Sequence, residues 1–167
     1  LGYTGDYYLN NKLTKDLSLS ELSNIRNKKI GFVFQDYYLD EKLTALENVL
    51  LPTIINKDIS SKEAKTKAID LLNKFGLDKR TNHLPSTLSG GEKQRVAIVR
   101  AIINNPDILL ADEPTGNLDV ESEENVMFIL KNISNSGKCV IMVTHNTDLI
   151  KYADKVYNLE NGVLNEK

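Results

Sequence analysis

Polar side chains that could do chemistry stand at or just past the ends of three apolar runs, each of which predicts a buried strand. The polar residues are Gln35, the pair Asp112 and Glu113, and His145, and the runs are Ile30–Phe34, Ile108–Ala111 and Cys139–Val143. In open parallel sheets, ligands bind outside the carboxyl ends of the strands. Each polar residue alone would more often be an ordinary loop residue. Together the three groups favour a shared site.

The pair Asp112 and Glu113 suggests metal and acid–base chemistry. Asp112 follows four apolar residues, which is the Walker B arrangement, where a carboxylate holds the hydrated Mg²⁺ of a nucleotide. The adjacent Glu113 could accept a proton from water, which is the task of a general base. A helix-capping acid before Pro114 is the alternative that the sequence leaves open.

The octet Leu88–Arg95 (LSGGEKQR) combines a helix start with two glycines. Ser89 and Glu92 have the spacing of a capping box, so a helix is predicted to begin here. Gly90 and Gly91 would each cost that helix about 1 kcal/mol relative to alanine. The cost is understandable if a ligand must approach the bare backbone N–H groups, because a helix N-terminus attracts anions. A glycine turn before an ordinary helix is the alternative.

The composition is that of one packed domain. The chain has 167 residues, of which 41% are hydrophobic and 26% charged, and its formal net charge is -2. This balance gives no broad basic surface, so neither nucleic acid nor anionic lipid is the expected partner. The single cysteine, Cys139, excludes an internal disulfide and a multi-cysteine zinc site, and we expect it in the core. No apolar run approaches the ~20 residues needed to cross a bilayer, and no signal-peptide pattern opens the chain, so a cytoplasmic setting is expected.

The elements that would position these residues alternate between helices and strands. Capping-box pairs predict helices after Ser18, Thr44, Ser60 and Ser89. Residues 40–87 contain helical patterns without a strand, whereas from Ser89 onward helices alternate with apolar strands. A short strand followed by a turn at Asn10–Asn11 is predicted near the start, and a hairpin turn is predicted at Asn161–Gly162. The pattern predicts an α/β fold with a parallel sheet flanked by helices.

The octet resembles the signature motif of the ATP-binding cassette (ABC) ATPases, and other motifs of that family follow in the same order. Gln35 matches the Q-loop, Ile108–Glu113 matches Walker B plus the catalytic glutamate, Gly116–Asp119 matches the D-loop, and His145 matches the switch histidine. Leu43–Pro52 and Leu110–Asp119 are most similar to the lipoprotein-release, macrolide-export and cell-division branch, together with the bacteriocin-export and peptide-resistance cassettes.

The resemblance implies a P-loop NTPase-like, mostly parallel sheet flanked by helices, with an inserted α-helical subdomain. Residues 1–39 and 88–167 would form the α/β core of a single partial domain, and residues 40–87 the helical signature subdomain that docks a transmembrane permease. The implied function is the ATP-binding and ATP-hydrolysing subunit of a membrane transporter that drives export or extraction of a peptide, lipoprotein or drug-like substrate. It would lie on the inner face of the plasma membrane through its permease.

The family also implies roles for individual residues. Asp112 and Gln35 would hold Mg²⁺, partly through water, Glu113 would polarise the attacking water, and His145 would contact the γ-phosphate of ATP. In the family two cassettes pair head to tail, so Ser89, Gly90 and Gly91 would bind the γ-phosphate of an ATP held by the second cassette. Asp119 would lie across that interface. Just past Gln35, the residues Tyr37, Tyr38 and Leu39 are either anchors for the permease or packing under the helical subdomain.

One family motif is missing from the sequence. No G-x-x-x-x-G-K-[ST] string is present, although its amides and lysine normally surround the phosphates. The expectation is that the corresponding strand–loop–helix belongs directly before Leu1, so that this chain is truncated, inactive alone, and exposes the flanks of its Walker B strand.

Three alternatives remain beside the transporter ATPase. The first is a truncated, non-hydrolysing cassette that acts as a nucleotide-sandwich or docking module, against which the intact Glu113 and His145 argue. The second, a chromosome-maintenance or DNA-repair ATPase, is disfavoured because the short helices between Gln35 and Ser89 leave no room for a long coiled coil. The third, a translation-factor cassette pair, would need a second cassette.

Overall fold

A three-stranded parallel sheet lies at the centre of the molecule. In the computed structural model, which describes residues 5–9 and 12–167, its strands are β3 (Ile30–Phe34), β4 (Ile108–Asp112) and β5 (Cys139–Val143), in the order β3-β4-β5. Asp112 pairs with Phe34 on one side and with Val143 on the other. All three strands therefore end at the same level, and the polar residues that follow them meet at one edge, as predicted.

The described part of the chain contains five α-helices. They are α1 (Leu19–Lys29), α2 (Ala45–Leu50), α3 (Ser61–Lys74), α4 (Gly90–Ile102) and α5 (Val120–Asn135). Of these, α4 and α5 cover one face of the sheet. All four predicted capping boxes are confirmed at the starts of α1 to α4. Helix α3 ends in a Schellman motif, in which Gly76 (φ +69) and Leu77 donate to the carbonyls of Asn73 and Leu72. Short 3₁₀ turns occupy Thr14–Asp16, Leu51–Thr53, Asp78–Arg80, Pro85–Thr87 and Thr147–Tyr152.

Two antiparallel hairpins lie outside the central sheet. The first pairs β1 (Tyr8–Leu9) with β2 (Lys12–Leu13), and the turn predicted at residues 10–11 lies outside the described residues. The second pairs β6 (Tyr157–Glu160) with β7 (Val163–Glu166). Its turn residues both have positive φ, 51° at Asn161 and 80° at Gly162, as a two-residue type I′ hairpin requires. The predicted C-terminal hairpin is confirmed.

Helix α4 joins two hydrophobic cores. Its residues Val96, Val99 and Ile103, the last just past its end, pack with α2 and α3, whereas Ile98 packs with β3, β4 and α5. No strand occurs among residues 40–87, so this stretch is helical as predicted. The division of the chain into a core and a subdomain at residues 40 and 87 stays a prediction, since a shared helix carries both cores.

One face of the sheet is open, which corrects two expectations. Phe32 is 42% exposed, Ile141 50% and Val143 62%, so the strands are buried only on the face that meets α4 and α5. Cys139 lies on the open face and is exposed, not in the core. The expected exposure of the Walker B strand's flanks is also wrong, because β4 is hydrogen-bonded on both sides. Within the described residues the free edges belong to β3 and β5.

None of the helices in residues 5–9 and 12–167 combines the length and the apolar character that a bilayer crossing requires.

Candidate functional site

The carboxylate of Glu113 is held by the end of the neighbouring strand β5. Glu113 leaves β4 with a positive φ of 44°, and its N–H donates to the carbonyl of Val143 at 2.9 Å. Its Oε1 accepts the backbone N–H of His145 at 2.8 Å and lies 2.8 Å from the ring Nδ1 of the same residue. Its Oε2 accepts the hydroxyl of Thr144 at 3.0 Å. Both oxygens of this side chain are therefore fixed in direction.

The same contacts set the charge of Glu113. Partial burial of the side chain works against ionisation, but the hydrogen bonds from His145 and Thr144 outweigh it, so the pKa of Glu113 lies below its ordinary value. The His145 side chain is largely exposed. Glu113 is thus an ionised acceptor at neutral pH, and the exposed imidazole stands beside it.

Gln35 lies against the turn that follows Glu113. Its Nε2 donates to Oδ1 of Asn117 at 3.2 Å, and Asn117 Nδ2 in return donates to the Gln35 carbonyl at 3.4 Å and to Asp36 Oδ1 at 3.3 Å. A Cβ added at Gly116 would stand 2.7 Å from the Gln35 side-chain nitrogen, so only glycine allows this approach. The predicted Q-loop and D-loop residues are in contact.

Asp112 is exposed at the end of β4, one residue before Glu113. Among the residues that the structure describes, no three His, Cys, Asp or Glu side chains cluster as a closed metal cage would require. Asp112 and the side-chain oxygen of Gln35 are hard oxygen donors of the type that Mg²⁺ prefers, and Mg²⁺ usually keeps several waters and phosphate oxygens as its other ligands. The donor set therefore fits a hydrated Mg²⁺ and does not form an all-protein cage.

The predicted anion-binding turn opens α4. Ser89 is exposed and caps the helix, accepting the N–H of Glu92 at 3.2 Å. A Cβ at Gly90 would stand 3.1 Å from the Tyr37 hydroxyl, and one at Gly91 would stand 2.6 Å from Oγ of Ser122. Close packing within the chain is thus sufficient reason for glycine at position 91, without the ligand that the sequence suggested.

Asp119 begins α5. Its carboxylate accepts the backbone N–H of Ser122 at 2.8 Å and the hydroxyl of the same residue at 3.0 Å, and these bonds lower its pKa. Asp119 is therefore an N-cap in this structure, and a role across an interface between cassettes stays a prediction.

Comparison with known proteins agrees with this arrangement. A family model described as ABC transporter matches residues 3–116. The chain belongs to the ABC transporter family. An uncharacterised ABC transporter ATP-binding protein of Methanocaldococcus jannaschii is 47% identical over 162 residues, which cover 97% of this chain and 72% of that protein. The lipoprotein-releasing system ATP-binding protein LolD of Psychrobacter arcticus is 41% identical over 95% of this chain and 71% of its own length.

A solved structure supports the fold of this ABC family member. It is the dimeric structure of a post-hydrolysis state of an ATP-binding cassette bound to ADP and Pi, with a TM-score of 0.84 and 41% identity. The match covers 98% of this chain and 73% of that cassette chain. The predicted fold class, an ABC-type α/β cassette, is confirmed.

Sequence reasoning missed several residues that hold this ABC site together. Thr144 holds Oε2 of Glu113, and the available signal for it was a hydroxyl directly after a strand. Gln94 is fully buried and donates to the Pro114 carbonyl at 2.6 Å. A polar residue four positions before Ile98, within the apolar stripe of α4, was the available signal. Nothing local in the sequence indicated that Asn117 would bridge to residues 35 and 36.

Proposed function

We propose that this chain is the ATP-binding and ATP-hydrolysing subunit of a membrane transporter. The observation that carries the proposal is the Glu113 carboxylate, which β5 holds through Thr144 and His145 next to Asp112. A general base must be ionised and correctly oriented before it can take a proton from water. The lowered pKa of Glu113 meets the first condition, and its two fixed oxygens meet the second.

The residues around Glu113 have separate tasks in this proposal. Mg²⁺-bound ATP supplies the phosphoanhydride bond that water cleaves. Asp112 and Gln35 offer oxygen ligands at the edge of the sheet, mainly to the water shell of the ion. Glu113 orients the attacking water and accepts its proton, and the exposed His145 ring is proposed to contact the terminal phosphate.

We propose that the site is completed by a second cassette. Ser89, Gly90 and Gly91 open a helix of 13 residues, whose first N–H groups and positive dipole end suit a phosphate. The exposed Ser89 hydroxyl can reach a nucleotide held by a partner. The solved relative is dimeric by its description, which supports a head-to-tail pair in this chain also.

The transport partner and cargo are proposed from the relatives. The names of LolD, a lipoprotein-releasing system ATP-binding protein, and of a macrolide export ATP-binding/permease protein of Chlorobaculum tepidum support a permease partner and a lipoprotein or drug-like substrate. We propose export or extraction of such a substrate or of a peptide. Such a subunit would lie on the inner face of the plasma membrane through its permease, docked by the helical residues 40–87.

The absence of a G-x-x-x-x-G-K-[ST] string favours a second candidate for the chain tested alone, a non-hydrolysing docking module. Asp112 and Glu113 would repel a polyphosphate unless cations offset their charge. We therefore expect residues 1–167 alone to bind Mg-ATP weakly and to release no phosphate above background, which calorimetry and a phosphate-release assay can measure.

The proposal is tested in a protein that joins a strand–loop–helix carrying that string to the N-terminus of the chain. Binding and hydrolysis should then appear, and Glu113→Gln should retain binding while turnover falls by about 10²–10⁴-fold, as expected for loss of a general base. Glu124→Gln, an exposed change on α5, is the matched control and should leave turnover unaffected. Near-normal turnover in Glu113→Gln would remove Glu113 from the catalytic role.

A further inference from the structure

Two consecutive residues after Gln35 have an unusual backbone. Tyr37 has φ 61° and Tyr38 has φ 46°, in the left-handed region that residues with a side chain seldom adopt. Such conformations persist where surrounding contacts enforce them. The local hydrogen bonds are those of a tight turn, in which Tyr37 N–H donates to the Phe34 carbonyl at 3.3 Å and Tyr38 N–H to the Asp36 carbonyl at 2.6 Å.

Both carbonyls of the turn accept hydrogen bonds from Arg100 in α4. One terminal nitrogen of its guanidinium donates to the Tyr37 carbonyl at 2.7 Å, and the other donates to the Tyr38 carbonyl. A planar guanidinium offers two donors in a fixed fork, so it can hold both carbonyls of the turn at once. The Tyr38 ring also packs edge-on against Phe34, with centroids 5.1 Å apart.

The turn and the residue before it contact the candidate site at two places, Asn117 and the start of α4. Gln35, just before it, exchanges hydrogen bonds with Asn117. The hydroxyl of Tyr37 lies 3.1 Å from the Cβ position of Gly90, at the start of α4. Gln94 reaches the Phe34 carbonyl only at 3.4 Å, and its short bond goes to Pro114 instead. Arg100 is therefore the stronger link from α4 to this segment.

We infer that Arg100 is a positioning residue that fixes Gln35 beside Asn117, and the Tyr37 hydroxyl beside Gly90, by holding the left-handed turn at Tyr37–Tyr38. Residues 34–38 then move with α4 as one unit. The inference rests on the proposed function only for the role of Gln35 as a Mg²⁺ ligand. The contacts between Arg100 and the turn are present without nucleotide.

Amide hydrogen exchange measured by NMR, without nucleotide, tests the inference on the chain itself. In Arg100→Met the amides of Tyr37 and Tyr38 should exchange about tenfold faster or more, because the turn opens locally. The side-chain amide signals of Asn117 and the backbone amide signal of Gly90 should shift in the same variant. Arg100→Lys, with one ammonium in place of the fork, should give an intermediate increase. Arg26→Met, an exposed change on α1, is the matched control. It should neither speed exchange at Tyr37 and Tyr38 nor shift the Asn117 and Gly90 signals.

The outcomes separate positioning from packing. A merely structural role for Arg100 would raise exchange in the α4 core, at Val96 and Val99, as much as in the turn, and would overturn the inference. The inference would also be overturned if a folded Arg100→Met variant kept the Tyr37 and Tyr38 amide exchange rates within twofold of the parent chain. Unshifted Asn117 side-chain signals in that variant would overturn it as well. If Arg100→Met does not fold, Arg100→Lys decides the question by the same criteria. Because no nucleotide is present, failure of the proposed ATPase function would leave this result unchanged.

Discussion

At the scale of single residues, Glu113 shows how orientation and basicity are balanced. Its hydrogen bonds from Thr144 and His145 fix both carboxylate oxygens, and they also lower the pKa. A lower pKa makes the carboxylate a weaker base, whereas its ionisation at neutral pH would be ensured by the ordinary pKa of a glutamate already. The arrangement therefore favours correct placement of a water molecule over proton affinity, and it makes the titration of Glu113 depend on β5.

The pH dependence of Glu113 follows from its neighbours. Because its pKa is lowered on folding, the stability that it contributes is present above the pKa of the unfolded chain and is lost as the pH falls through the folded value. Thr144→Val removes one donor and should raise the pKa of Glu113 toward its ordinary value. ¹³C NMR titration of the carboxyl group measures this change. Thr147→Val, a nearby change past the strand, is the control, and an unchanged Glu113 titration in Thr144→Val would contradict the assignment.

At the scale of elements, the first turn of α4 packs against α5. The Cβ position of Gly91 lies 2.6 Å from Ser122 Oγ and 3.0 Å from Ser122 Cβ, whereas the nearest neighbour of that of Gly90 is the flexible end of Tyr37 at 3.1 Å, followed by Leu118 Cδ2 at an ordinary 3.5 Å. The two adjacent glycines thus differ in what an added methyl group would meet. Only position 91 requires the neighbouring helix to move.

Substituting each glycine by alanine should separate the two positions. Gly91→Ala should lower the free energy of unfolding by about 1–3 kcal/mol, the usual cost of overpacking. Gly90→Ala should change it little, because the Tyr37 hydroxyl can shift and alanine favours the helix. Urea unfolding of both variants measures the difference. Equal effects at the two positions would show that the contact with Ser122 does not decide the choice of glycine.

The helical stretch 40–87 offers a different docking candidate from the one suggested by the sequence. Leu39 packs against the core formed by α2, α3 and α4, which favours its alternative reading as a packing residue. Ile54 and Ile55, which follow α2, are 75% and 63% exposed. These two adjacent isoleucines add exposed apolar area to the helical stretch, and we propose them as the docking candidate.

The docking proposal can be tested at these isoleucines in the nucleotide-competent fusion. Changing both Ile54 and Ile55 to Asp should weaken co-purification with the membrane permease by about tenfold or more and leave ATP binding intact, because the residues are exposed. Phe128→Asp, on the exposed side of α5, is the matched control and should co-purify normally. Undiminished co-purification of the double variant would remove this surface from the proposed interface.

At the scale of the whole molecule, the open sheet face is an uncovered apolar surface in the described chain. Phe32 of β3 and Ile141 and Val143 of β5 are exposed on this face, and within the described residues β3 and β5 form its free edges. Unpaired strand edges with apolar neighbours promote association between molecules. The same surface is next to the candidate site, since Val143 directly precedes Thr144 and His145.

The isolated chain is therefore expected to self-associate as its concentration rises. Changing Ile141 and Val143 to Lys should reduce this association by placing charge on the open face. Sedimentation velocity over a concentration series measures it. Phe128→Lys, an equally exposed apolar position on α5, is the control for the added charge. If both variants associate like the parent chain, another surface is responsible.

The local features of this protein follow from short stretches of its chain. The capping pairs placed the starts of four helices, and the Asn161–Gly162 pair placed the last hairpin, because each depends on residues within a few positions of one another. The apolar runs placed the three parallel strands for the same reason. Because the carboxyl ends of parallel strands lie at the same edge of a sheet, the sequence also predicted that Gln35, Glu113 and His145 would come to one edge.

Which groups touch and which surfaces are covered depends on how distant elements pack against one another. The burial of one sheet face and the exposure of Cys139 depend on where α4 and α5 pack, and the central place of β4 depends on pairing between distant segments. The hydrogen bonds from Arg100 to the Tyr37 and Tyr38 carbonyls join residues more than 60 positions apart. Such contacts leave no periodic pattern in the sequence, because they are selected by the packing of whole elements and not by the spacing of neighbours along the chain.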